Sequence, residues 1–235
     1  MNRISTKSAT GLLSVISIFL AVGSMVYLEA TFPWEGKNIE AILSLYYERG
    51  PGLRIAWFLF ATGCMLIIPL SIFLYSFCKE KSSIAKTGCI FGATAGFCYM
   101  LGIMRWVIPV HYLSQLLHDS AGNEIIKQNI IISFNVLNSY AGNCFGETAA
   151  PLLHGFWLII FGSIMHKNRI GWKWFGITQI FGGVIITLRP LEFTGMTTLG
   201  KMSDYGLILW SLTFLVFGTC LLFSKTDLGV DYDNK

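Results

Sequence analysis

Two ionisable side chains fall inside long apolar stretches of the sequence and are the first candidates for chemistry. Arg105 lies near the end of one stretch, and Glu147 lies near the start of the next. A lone charge in lipid costs roughly 2–4 kcal/mol, whereas an Arg guanidinium can hold a carboxylate through two hydrogen bonds. Because successive apolar helices run antiparallel, the two side chains reach similar depths. We therefore predict an Arg105–Glu147 contact, which either binds a ligand, relays protons or only joins two helices.

Other polar side chains share a predicted helical face with Glu147. At about 100° per residue of an α-helix, that face carries Tyr140, Asn143, Glu147 and His154. Pro151 lies between Glu147 and His154 and can kink the helix there. The pattern predicts a polar stripe that runs from the edge of an apolar stretch to its middle.

A second pair of opposite charges, Arg189 and Glu192, flanks Pro190 at the end of a further apolar stretch. Together with Arg105 and Glu147, these charges are expected to ring one polar cavity. Ionisable side chains within apolar spans are functional candidates by default, although Arg189 and Glu192 can also reach the interface as ordinary structural residues. The candidate ligand-binding residues are thus Arg105, Tyr140, Asn143, Glu147, His154, Arg189 and Glu192.

His154 has four candidate roles: haem ligand, proton carrier, metal ligand or structural residue. No second His is expected at its depth, so a haem held by two His side chains lacks a partner. No two of the six cysteines are closer than nine residues, which excludes a dithiol or zinc signature. No motif of a serine hydrolase, a zinc protease or a nucleotide-binding protein is present. Catalytic residues and cofactors are therefore left unknown, no metal site is predicted, and enzymatic activity is left open.

The composition defines the elements that must position these residues. Charged residues make up 13% of the 235 residues and hydrophobic residues 54%, with a mean hydropathy of +0.60. Soluble domains carry about 25% charged residues, so the composition excludes a soluble enzyme, a disordered protein and a free nucleic-acid binder. A helix needs about 20 apolar residues to cross a bilayer. The apolar runs that meet or approach this length are residues 11–28, 55–77, 87–110, 145–165, 174–188 and 205–223.

These runs predict an all-α fold, a polytopic membrane helix bundle with six transmembrane helices, and residues 1–235 are expected to form a single transmembrane domain. The apolar–polar alternation of a membrane barrel is absent from the sequence. The first run also resembles a signal peptide, because Arg3 and Lys7 precede it. We expect it to be retained as a helix, since it is long enough to span. The expected partner is the lipid bilayer; no nucleic acid is expected, and the oligomeric state is left unknown.

Two segments between the spans carry further predicted helices. The spacing of an amphipathic helix recurs at Ile39, Ile42, Leu43 and Tyr46. Asn38 can cap this helix, and the sequence Gly50–Pro51–Gly52 ends it. We expect it to lie flat on the outer interface. Residues 129–143 contain no strong helix breaker before Gly142, so the helix of the fourth span is expected to extend beyond the membrane on the same side.

Lysine and arginine residues are distributed unequally between the two sides of the predicted bundle. Ten of the 17 fall in segments on the side of the N-terminus and six in segments on the opposite side, with Arg105 left inside a span. Such positively charged segments face the cytoplasm. The bias predicts that both termini are cytoplasmic and that the amphipathic helix lies outside.

Four stretches carry a resemblance to a known family: Arg105–Trp106 with Pro109, Asn138–Glu147, Gly171–Gly176 and Pro190–Glu192. With these stretches, the chain resembles an uncharacterised bacterial family of multi-pass membrane proteins, defined only as a domain of unknown function. The resemblance implies a bacterial inner-membrane protein of six or seven helices. It implies no activity.

The sequence supports one favoured function and two alternatives. The favoured one is binding or transport of a small polar or anionic ligand through an outward-facing cavity between the third, fourth and fifth spans. The first alternative is a membrane-embedded enzyme that acts on a lipid or quinone, with Glu147 or His154 as its acid–base group. The second is a structural or regulatory membrane subunit. Against transport, residues 1–117 and 118–235 show no clear inverted repeat, which many secondary transporters have.

Overall fold

The computed structural model describes residues 6–34, 36–78, 82–120, 122–170 and 173–223. Its α-helices are α1 (Thr6–Thr31), α2 (Ile39–Met65), α3 (Ile67–Cys78), α4 (Ala85–Val107), α5 (Pro109–Asp119), α6 (Glu124–Leu137), α7 (Ala150–Lys167), α8 (Lys173–Ile186) and α9 (Thr197–Phe223). A π-helical segment, Asn138–Ala149, joins α6 to α7, and a 3₁₀ segment, Arg189–Thr194, lies between α8 and α9. Arg3, Lys79, Lys81, Lys225 and Lys235 of the charge count, and Gly171 and Trp172 of the resembling stretches, lie outside the described residues.

Six helical stretches in the described part of the chain are long and apolar enough to cross a membrane. They cover residues 6–31, 39–78, 85–119, 124–167, 174–194 and 197–223, and each contains one of the predicted apolar runs. The described residues include no strand. Large apolar side chains such as Phe19, Ile72 and Phe181 are exposed along these helices, as expected where lipid is the solvent. The predicted all-α membrane bundle is confirmed.

The first part of α2 forms a helix separate from the spanning part. Gly50 adopts φ 64° and ψ −146°, a backbone conformation that glycine reaches without steric cost, and Pro51 follows it. Residues 39–49, called the cap helix below, therefore point away from the apolar remainder of α2. Asn38 accepts a hydrogen bond from the Ala41 backbone N–H at 2.8 Å. The predicted amphipathic helix and both of its ends are confirmed.

The cap helix packs with α5 and α6 over one end of the bundle, called the capped end below. Trp106 is at the centre of this region: Trp57 stacks on it at a ring-centroid distance of 5.0 Å, and Tyr46 does so at 6.1 Å. The Tyr46 hydroxyl also donates a hydrogen bond to the Trp106 carbonyl oxygen. These contacts fix the last turn of α4 and, with it, the backbone of the adjacent Arg105.

The helix of the fourth span is continuous from Glu124 to Lys167, over 44 residues. This is about twice the length that crosses a bilayer. The helix therefore extends well past a single membrane crossing, as the sequence predicts, and the polar π-helical segment lies in its middle.

Pairs of glycines bring α7 and α8 into backbone contact. A Cβ added to Gly155 would lie 2.5 Å from the Gly183 carbonyl oxygen, and a Cβ on Gly162 would lie 2.7 Å from the Gly176 carbonyl oxygen. Small residues allow membrane helices to approach this closely. The contact fixes the end of α8 beside the start of α7, and the segments adjoining these two ends carry Arg189 and Glu147.

Candidate functional site

The residues around Glu147 form a π-helix and not the α-helix that the sequence suggested. The segment covers 12 residues, whereas most π-helices are single wide turns, frequently at functional sites. Each wide turn bonds residues five apart, so α-helical spacing does not apply here. The spacing from which the single stripe was predicted therefore does not apply in this segment, and the exposure differs between its ends: Tyr140 is 66% exposed, and His154 is completely buried.

The π-helical segment packs directly on α4. A Cβ on Gly102 would lie 2.7 Å from the Gly146 Cα, so the two backbones touch at a pair of glycines. Arg105 lies one turn after Gly102, and its guanidinium rests on Gly142. A Cβ on Gly142 would lie 2.8 Å from the Arg105 Cζ atom. The glycines of the segment thus create the space in which the guanidinium lies.

The Glu147 carboxylate binds Arg189. Arg189 Nε donates a hydrogen bond to Glu147 Oε2 at 2.7 Å, which joins the π-helical segment to the start of the 3₁₀ segment. The predicted Arg105–Glu147 ion pair is wrong, because no such contact exists among the described residues. The cause is the α7–α8 glycine contact, which places Arg189 beside Glu147.

Arg189 binds two further carboxylates besides that of Glu147. Its Nη1 atom lies 3.2 Å from Asp204 Oδ1 and 3.5 Å from Glu192 Oε2. The Arg189–Glu192 pair is confirmed, since the two residues are three apart in one short helical turn. The Arg189 side chain is 21% exposed, and the three acids range from 31% to 59%. Arg189, Glu147, Glu192 and Asp204 are called the Arg189 cluster below.

The chain around Pro190 explains why Glu192 and Asp204 reach the same arginine. Pro190 stands at the start of the 3₁₀ segment, and Gly195 ends it with φ 92°. The chain then reverses into α9, and Gly200 packs against the Cα and Cβ atoms of Glu192. This close approach brings the first turns of α9, which carry Asp204, next to Arg189.

Arg105 is in the opposite electrostatic situation. Its Nη1 donates to the Gly102 carbonyl oxygen, its Nε is buried without a hydrogen-bond partner, and its Cζ lies 5.5 Å from the centre of the Trp106 ring. No carboxylate of the described chain forms an ion pair with it. Arg105 is thus a half-buried cation with spare hydrogen-bond donors, and such a group suits an acceptor supplied from outside.

His154 is enclosed by aromatic rings. Its Nδ1 lies 3.4 Å from the Tyr99 hydroxyl, and the Trp210 ring stands edge-on to it at 4.5 Å between centroids. The buried Nε2 has no hydrogen-bond partner among the described residues. None of the ion pairs of the Arg189 cluster involves His154. The structure therefore places this residue in the packed core of the bundle.

Two residues of this region were missed by the sequence analysis. Asp204 lies just before the apolar run of the last span, and an acid at a span end is the signal that could have drawn attention to it. Gly142 gives no comparable signal, because glycine is common throughout the chain. Its role follows from its contact with Arg105.

The fold defines a multi-pass α-helical membrane protein with a cluster of charged residues beside a π-helical segment at its capped end. Its family follows from comparison with family models: residues 9–223 match the family described as "Domain of unknown function (DUF4386)". The chain belongs to this family. No curated protein and no solved structure matches the chain.

Proposed function

We propose that this membrane protein binds or transports a small polar or anionic solute at the capped end, with Arg105 as the anion-binding residue. The observation that carries the proposal is the state of Arg105. Its charge has no ion-pair partner in the described chain, and its buried Nε has no hydrogen-bond acceptor. A solute carboxylate supplies the missing negative charge and accepts hydrogen bonds from the guanidinium, which binds such groups strongly.

The Arg189 cluster shapes the remainder of the proposed site. Arg189 is neutralised by three acids, so it is not free to bind an anion. Glu147 follows Gly146, which lies beside the Arg105 guanidinium, so an acid stands next to the proposed anion position. Near this carboxylate, a hydroxyl or ammonium group on the solute is favoured over a second negative charge. Tyr140 and Asn143 of the π-helical segment are proposed to supply further polar contacts.

Purified protein in lipid nanodiscs tests the proposal. Small mono- and dicarboxylates are compared with their uncharged amides by calorimetry and by the temperature of unfolding. We expect at least one carboxylate to bind, and Arg105→Met to weaken its binding by about tenfold or more, because a hydrogen-bonded charge pair contributes about 1.5–3 kcal/mol.

The matched variant is Glu147→Gln, which removes a negative charge beside Arg105 and should leave carboxylate binding equal or tighter. Carboxylate binding that is unchanged in Arg105→Met would remove the basis of the proposal. Amides that bind as tightly as the corresponding acids would also remove the basis of the proposal.

We also infer that the protein lies in a bacterial cytoplasmic membrane with both termini in the cytoplasm. The excess of Lys and Arg on the side of the N-terminus supports this orientation, and the capped end then faces outward. A C-terminal reporter enzyme that is active only outside the cytoplasm should show no activity. Full activity of that fusion would show that the C-terminus lies outside the cytoplasm.

A further inference from the structure

A polar cavity lies on the cap, and none of the residues assigned above line it. A cavity of about 640 Å³ opens between the cap helix, the end of α5 and the start of α6. Its volume falls within the range of about 300–1,000 Å³ that is typical of small-molecule sites. The lining residues that carry charge or aromatic rings are Glu40, Tyr47, Glu48, His118, Glu124 and Lys127.

The charges of this cavity are mainly negative. Three carboxylates face one ammonium group, that of Lys127. Lys127 Nζ lies 2.8 Å from Glu40 Oε2 and 3.7 Å from Glu124 Oε1. Glu48 has no ion-pair partner within the described part of the chain. The cavity therefore already holds one alkylammonium group between two of its acids and leaves a third acid free.

An aromatic surface adjoins these acids. The rings of Tyr47 and His118 stack with 4.0 Å between centroids and 16° between planes. Both side chains are exposed and line the cavity. His118 covers one face of the Tyr47 ring, and the other face can attract an ammonium group, because its π electrons carry partial negative charge. Tyr47 and Glu48 are adjacent on the cap helix, so both attractive features lie on the same element.

From this combination we propose that the cap cavity binds a small organic cation of the alkylamine class. One ammonium group pairs with Glu48 near the Tyr47 ring, and a second competes with Lys127 for Glu40. This site goes beyond the proposed function, because it takes a cation and is lined by other residues.

Calorimetry on the full-length protein in nanodiscs tests the inference, with butane-1,4-diamine as the probe and butane-1,4-diol as its uncharged control. We expect the diamine to bind and the diol not to bind. Glu48→Gln should weaken diamine binding about fivefold, the size of one partly exposed ion pair, and Lys127→Met should strengthen it by a similar factor. Added salt should weaken it, because mobile ions screen exposed charges.

Equal binding of diamine and diol would overturn the inference, and so would Glu48→Gln and Lys127→Met changing the affinity in the same direction. Glu48 is exposed, so its variant should fold; Glu124→Gln provides a second test of the same charge effect. Glu48→Gln should leave carboxylate binding unchanged. A failure at the cap cavity is thus distinguishable from a failure at Arg105.

Discussion

Two arginines at the capped end stand in contrasting environments. Arg189 contacts three carboxylates within 3.5 Å, whereas Arg105 forms no ion pair within the described chain and rests on a glycine and a tryptophan ring. Both side chains are partly buried. The same residue type therefore has two roles here: Arg189 holds elements together, and Arg105 keeps donors available.

The elements around each arginine produce this difference. Arg189 follows the end of α8, where the 3₁₀ segment, the first turns of α9 and the π-helical segment each contribute one acid. Arg105 lies on α4, and the surface that faces it is the glycine side of the π-helical segment. Three acids thus converge on Arg189 because three elements meet there, whereas Arg105 faces a surface formed by glycines.

The largest effect that the comparison predicts is on stability. Arg189→Met leaves three carboxylates close together without a cation, and the partly exposed cluster should lose about 2 kcal/mol in the free energy of unfolding, less than the 3–5 kcal/mol for a fully buried pair. The same substitution at Arg105 removes an unpaired charge and should leave stability unchanged or slightly higher. Unfolding of both variants by denaturant in the same detergent measures the difference.

Equal losses in the two variants would contradict the contrast drawn between the arginines. A second control is Arg189→Lys, which keeps one positive charge but loses the planar arrangement of donors. It should retain part of the stability that Arg189→Met loses. A lysine variant as unstable as the methionine variant would show that the guanidinium geometry, and not the positive charge alone, dominates at this position.

Much of the fold was predictable because its signals are local. Six apolar runs, the Asn38 cap and the Gly50–Pro51 end each depend on a few neighbouring residues, and the structure places a helix, a cap and a turn at these positions. The Arg189–Glu192 pair was predictable for the same reason, since its residues are three apart. Sequence spacing is sufficient to predict an ion pair wherever both residues lie in the same helical turn.

The partner of Glu147 was not predictable from spacing. It lies 42 residues away, and its position depends on how closely α7 and α8 approach at their glycines. The α-helical angles used to align Glu147 with His154 also fail in a π-helix, which no sequence pattern in this chain announced. Long-range packing and unusual helical geometry, rather than composition, decide which charges of the site meet.

The smallest effect that the comparison predicts is at Gly142. A substitution there displaces the Arg105 guanidinium without changing any charge. In Gly142→Ala, the new Cβ would lie 2.8 Å from the Arg105 Cζ atom, so the guanidinium must move away. A flexible side chain can make this shift, and we expect stability to fall by about 1 kcal/mol or less. Carboxylate binding should nevertheless weaken, because the donors leave the position that the glycine allows. Calorimetry and unfolding on the same sample measure both quantities.

Gly23→Ala is the matched control, because a Cβ at Gly23 on α1 meets no atom within 4 Å. It should leave carboxylate binding unchanged and stabilise the helix slightly, since alanine favours the helical backbone. If Gly142→Ala behaves like Gly23→Ala, the position of the Arg105 guanidinium does not matter, and Arg105 is as structural as Arg189. If only Gly142→Ala weakens binding, the glycine surface is what keeps Arg105 available to a solute.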